Sequence, residues 1–75
     1  MNFKQLYEEE KTKNGGNRPL EWLQRVAVAA IVSTDTVYQW ALGWRNPNKA
    51  AAKMAADELG MDMDELFPNL KTARQ

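Results

Sequence analysis

The sequence predicts an all-α domain of five short helices and no strands, and two features predict it. Apolar residues recur at helical spacing in separate stretches: Leu20, Leu23, Val26, Ala27 and Ala30 in one, Val37, Trp40 and Ala41 in the next. Capping residues and breakers punctuate these stretches at short intervals, from Asn14-Gly15-Gly16-Asn17 through Ser33, Gly43 and Gly60 to Pro68.

The first helix is expected over about Asn2 to Lys13. Asn2 can cap it, and Gln5, as the third helical residue, can answer in a capping box. Phe3, Leu6, Tyr7 and Glu10 share a face, so the core stripe is narrow. Pro19 suits the first turn of the second helix, where its missing N–H would have been unpaired anyway. On that helix Trp22, Ala29 and Ile31 widen the apolar arc to more than half the circumference. One packed side suffices in a small core, so the excess predicts burial on two sides or a partner surface. The linker Asn14 to Arg18 is short, and its glycines permit the first helix to fold back over that arc.

The third helix is expected over Thr34 to Leu42, capped by Ser33 and stopped by Gly43; the loop Gly43 to Pro47 is turn chemistry. The fourth runs from about Asn48 to Leu59 and ends at Gly60. It is rich in alanine, which favours a helix but fills little volume, so Trp40 and Trp44 are expected to fill the space beside it. Asp62 and Glu65 predict a capping box for the fifth helix, and Pro68 stops it after Leu66 and Phe67. Residues 69–75 are expected to fray.

A chain of 75 residues is read as one domain with a modest core. It has no cysteine, so no disulfide and no cysteine-based zinc site, which fits a reducing compartment. It has no histidine, the commonest general base and metal ligand. The charged, amphipathic start MNFKQLYEEE is unlike a signal peptide, and the longest apolar run, Val26 to Val32, is far short of the roughly 20 residues that span a bilayer. A cytoplasmic protein without membrane contact is the expectation. The net charge is zero, ten basic residues against ten acidic, although small DNA-binding domains are usually basic. Distribution therefore matters: acids gather at Glu8 to Glu10 and from Asp57 to Glu65, whereas Arg25, Arg45, Lys49 and Lys53 lie in or next to the central helices.

The stretch Ser33 to Gly43, STDTVYQWALG, carries the most functional information. Val37, Trp40 and Ala41 fall on one side of its helix; Asp35, Tyr38, Gln39 and Leu42 fall on the other. Two tightly joined helices, spanning about 20–42, with polar side chains outward on the second, are the layout of a helix-turn-helix DNA reader. From about Gln24 to Pro68 the chain resembles the Cro and phage-repressor type of helix-turn-helix domain, the XRE or lambda-repressor-like family. Val26-Ala27, Val32-Ser33, Val37, Trp40, Gly43, Arg45-Asn46-Pro47, Leu59-Gly60-Met61 and Asp64-Glu65-Leu66-Phe67 carry the resemblance. The chain departs from the family at Ile31, where glycine is usual at the turn, at Leu23, where a polar residue usually touches phosphate, and at Trp44, often lysine. If the turn position needs a positive φ, the β-branched Ile31 is strained there.

The resemblance implies a third helix lying in the major groove of double-stranded DNA. Thr34, Asp35, Tyr38 and Gln39 then read bases, and Arg25, Arg45, Asn46 and Lys49 contact phosphate. The chemistry is apt: glutamine bonds adenine through two atoms, and aspartate accepts from the cytosine amino group. Each residue also has a plainer reading. Gln39 fits a solvated helix face, Asp35 a first-turn acid favoured by the macrodipole, Tyr38 a cover for Leu42, and Arg45 a charge near a helix C-terminus. The Asp62-Asp64-Glu65 cluster fits capping better than a metal site. The expected function is a small transcriptional regulator, monomeric alone and pairing as a homodimer on adjacent half-sites, with no cofactor, small-molecule ligand or enzymatic activity. The rival expectation is a protein-interaction module on the same fold, favoured by the zero net charge, Leu42, Trp44 and the wide apolar arc of the second helix, Trp22 included.

Overall fold

Local sequence signals set the element boundaries in the computed structural model, which describes residues 1–68. The helices are α1 (Phe3–Lys13), α2 (Leu20–Ala30), α3 (Thr34–Leu42), α4 (Lys49–Leu59) and α5 (Met63–Leu66), with no strand among the described residues. The expectation of fraying at 69–75 lies outside them. The box at the head of α1 forms as the sequence predicts: Gln5 N–H donates to Asn2 Oδ1 and Asn2 N–H to Gln5 Oε1, both at 2.9 Å. Ser33 caps α3, and Asn48 caps α4 by accepting the Ala51 N–H at 2.8 Å. The box at α5 does not form. Asp62 Oδ1 accepts from Asp64 N–H at 3.1 Å, while the Glu65 carboxylate accepts instead from the Met1 amine at 2.7 Å.

Helices α2, α3 and α4 end in one hydrogen-bond pattern, the Schellman motif. Val32 N–H donates to Ala27 O at 3.0 Å, Trp44 N–H to Gln39 O at 3.0 Å and Met61 N–H to Ala56 O at 2.9 Å. Each motif turns on one left-handed residue: Gly43 at φ 83°, Gly60 at φ 68° and Ile31 at φ 58°. Left-handed backbone crowds a Cβ against the neighbouring carbonyl, at a cost of roughly 1–2 kcal/mol, and a β-branched residue suffers most. Ile31 is also 80% exposed, so its side chain offsets none of this by burial. Ile31→Gly is therefore expected to stabilise the fold by about 1 kcal/mol, after the greater freedom of glycine in the unfolded chain is allowed for. Thermal melting should rise by about 5 °C. A lower melting temperature for Ile31→Gly would contradict the strain at this turn.

The core joins all five helices through Phe3, Tyr7, Leu23, Val26, Val37, Trp40, Leu66, Phe67 and a set of alanines. An aromatic cluster occupies one half. Phe3 stacks on Trp22 and on Phe67, with ring centroids 5.2 Å apart in each pair. Trp40 meets Phe3 and Phe67 edge-on at 6.2 and 5.9 Å. Phe3 and Tyr7 thus bring α1 against Trp22, which accounts for one side of the wide apolar arc on α2.

The other half is α2 against α4, the most extensive helix contact among the described residues. Ala27 and Ala30 are buried on α2, and Ala51, Ala52, Ala55 and Ala56 on α4. Helix separation follows the size of the side chains at the contact, so small residues on both partners permit close approach. This corrects the expectation that Trp44 fills space beside α4. Trp44 is 74% exposed, and backbone proximity replaces bulk there. Two further residues leave the apolar arc: Leu20, at the first position of α2, is half exposed, and Ile31 lies beyond the helix altogether. No helix among the described residues is long and apolar enough to cross a membrane.

Candidate nucleic-acid interface

Helix α3 is fixed by its buried side. Val37, Trp40 and Ala41 are buried, and Ser33 Oγ accepts the Thr36 N–H at 3.2 Å to hold the first turn. The remaining positions are turned away from the core to different degrees. Asp35 is exposed; Thr34, Gln39 and Leu42 are half-buried. The side chains of Asp35 and Gln39, four residues and so about one turn apart, have no hydrogen-bond partner among the described residues. Asp35 and Gln39 thus keep their donors and acceptors available.

Tyr38 differs from its neighbours. Its ring lies 6.0 Å from that of Tyr7 on α1, and the Arg18 guanidinium sits 4.6 Å from its centroid. The ring is packed under α1 and a cation, so Tyr38 is less outward than the helical spacing alone predicts. Burial, followed by the nearby Tyr38 and Glu8, raises the Tyr7 phenol above its ordinary range, and Arg18 opposes the rise. Arg18 was not among the expected site residues. It sits in the linker before α2, and nothing in the spacing of the sequence ties it to α3; a cation–π contact with Tyr38 makes the connection.

The cations of the linker and the central helices separate into two groups. Arg25 is held by α4: its Nε donates to Glu58 Oε2 at 2.5 Å and its Nη2 to the Glu58 carbonyl at 3.2 Å. Lys53 faces Asp57 at 3.7 Å. Arg18, Arg45 and Lys49 make no ion pair with any described residue. Arg45 and Asn46 are exposed in the loop after α3, and Lys49 is exposed at the first position of α4.

Helix α4 is charged against its own macrodipole. A lysine stands at its N-terminal end, with no acid in the first turn, while Asp57 and Glu58 stand in its last turn. Each such placement costs a helix roughly 0.3–1 kcal/mol where the charge is exposed. Arg25 relieves the acidic end by bonding to Glu58. Nothing among the described residues relieves Lys49. Two of the cations without an ion pair among the described residues, Arg45 and Lys49, thus follow the end of α3 in the chain, while others stand on α1 (Lys4 and Lys11) and in the linker before α2 (Arg18). Comparison with protein-family models, curated proteins and solved structures finds no significant match.

Proposed function

We propose that this chain binds double-stranded DNA sequence-specifically, as a small transcriptional regulator of the Cro and phage-repressor type, with α3 in the major groove. One observation carries the reading: Asp35 and Gln39 stand unbonded on the outer side of α3, and the loop that follows and the first position of α4 supply Arg45 and Lys49, none of them with a side-chain partner among the described residues. Thr34, Asp35 and Gln39 read base edges. Tyr38, braced by Tyr7 and Arg18, contributes its hydroxyl edge rather than a free ring. Arg45, Asn46 and Lys49 hold phosphates. Arg25 joins them by exchanging Glu58 for a phosphate oxygen, so its net contribution is smaller. Two copies on adjacent half-sites read a palindrome, and the protein works in the cytoplasm of its cell.

The test is a titration of fluorescent duplex at increasing salt. With so few cations the slope of log K against log salt is expected at about −2 to −4 per protomer, shallow for a DNA-binding domain. Absence of binding to any duplex at low salt and high micromolar protein would overturn the proposal. A second reading, a protein-interaction module, draws on a different observation: Val28 and Ile31 are 78% and 80% exposed at the end of α2. Under that reading the same titration is blank.

A further inference from the structure

We propose that Trp44 is a contact residue for the DNA strand, its indole lying against the deoxyribose and its Nε1–H donating to a phosphate oxygen. The inference rests on the DNA-binding reading and adds to it a residue that neither the helix pattern nor the family resemblance assigns to DNA. Three observations meet at this residue. Trp44 is 74% exposed, although the residue at its position in a Schellman motif commonly folds back on the helix to make an apolar contact. Its backbone is nonetheless fixed, because the Trp44 N–H donates to the Gln39 carbonyl at 3.0 Å and the Arg45 N–H to the same oxygen at 3.4 Å. The residue proposed to read a base therefore also anchors the residue proposed to touch the backbone. Finally, Trp44 immediately precedes Arg45 and lies five positions before Lys49 at the start of α4, and neither cation has an ion pair among the described residues, so the nearby charge suits a polyanion.

The ring chemistry suits one partner within that class. Bases in a duplex are paired and stacked, and the outer strand offers a sugar face beside an anionic oxygen. Tryptophan is amphipathic in the same sense: a broad apolar face, and one N–H that donates and never accepts. Because the indole is uncharged, its contribution is independent of counterion release. That property separates it from its cationic neighbours.

The experiment pairs tryptophan fluorescence with binding by anisotropy. Trp40 is buried and Trp22 is half-buried, so acrylamide quenches chiefly Trp44 in the free protein. Duplex is expected to remove that quenching. Trp44→Ala is expected to weaken binding to all duplexes by about tenfold, the loss of one charge-assisted hydrogen bond, and Trp44→Phe by a smaller factor. Both variants should melt as wild type and keep the wild-type salt slope. Duplex binding by wild type with quenching unchanged, or with Trp44→Ala equally tight, would overturn this assignment and leave the DNA-binding reading standing. A Trp44→Ala salt slope reduced by about one would also overturn it, because the ring would then act by placing Arg45. No duplex binding by wild type would overturn both.

Discussion

Trp40→Ala is expected to destabilise the protein by about 3–5 kcal/mol, enough to unfold most molecules of a domain this small at room temperature. The ring is 6% exposed and stands edge-on to both Phe3 and Phe67, which in turn stack on each other. Truncation removes two aromatic pairs, each worth roughly 0.5–1.5 kcal/mol beyond area burial, and opens a cavity. Relaxation cannot close that cavity easily. Phe3 is held by its stack on Trp22, and Phe67 by its place at the end of α5. Urea denaturation followed by circular dichroism measures the loss. Trp44→Ala is the matched control, since Trp44 is 74% exposed and should melt as wild type. A Trp40→Ala protein within about 1 kcal/mol of wild type would show that the aromatic cluster is not the keystone of the core.

Gln39→Ala and Arg45→Ala are expected to fail in different ways. Gln39 carries sequence information, so its truncation should cost about 1–3 kcal/mol on the preferred site, found by selection from random duplex, and little on random DNA. Arg45 carries charge, so its truncation should weaken all sequences alike and flatten the salt slope by about one. Neither side chain has an intramolecular hydrogen bond or ion pair among the described residues, so neither change should alter stability much. Binding by competition anisotropy at two salt concentrations separates the two. A reversal, with Arg45→Ala changing preference and Gln39→Ala changing nothing, would mean that α3 does not enter the groove as proposed.

What the sequence made legible follows from range. Caps and stops are local, acting within three or four residues, and α3 therefore occupies Thr34 to Leu42 as expected and α1 begins at the Asn2 box. The inward positions of α3 follow equally from helical spacing. The structure departs from the local signals where a distant partner decides the outcome. Glu65 leaves its cap for the Met1 amine, sixty-four residues away in the chain. Tyr38 is outward by spacing but is drawn under α1 by Tyr7 and Arg18. Trp44 looked like filler because alanine fills little volume; the volume was instead removed by the approach of α2 to α4. Ile31 is a different case. Its strain was legible from the glycine usual at that turn in the family the sequence resembles, and the left-handed backbone at φ 58° is where it resides. In the candidate site, charge type was readable but charge pairing was not: Arg25 and Arg45 look alike in the sequence, yet one is bound to Glu58 and the other has no ion pair among the described residues.

The most direct measurement of the central claim is a titration of isotope-labelled protein with duplex DNA, following backbone amides by NMR. Shifts are expected to concentrate at Thr34, Asp35 and Gln39 and along Trp44 to Lys49, and to be lost on adding salt. Shifts confined to Val28 and Ile31, or no shifts at any residue at low salt, would contradict it.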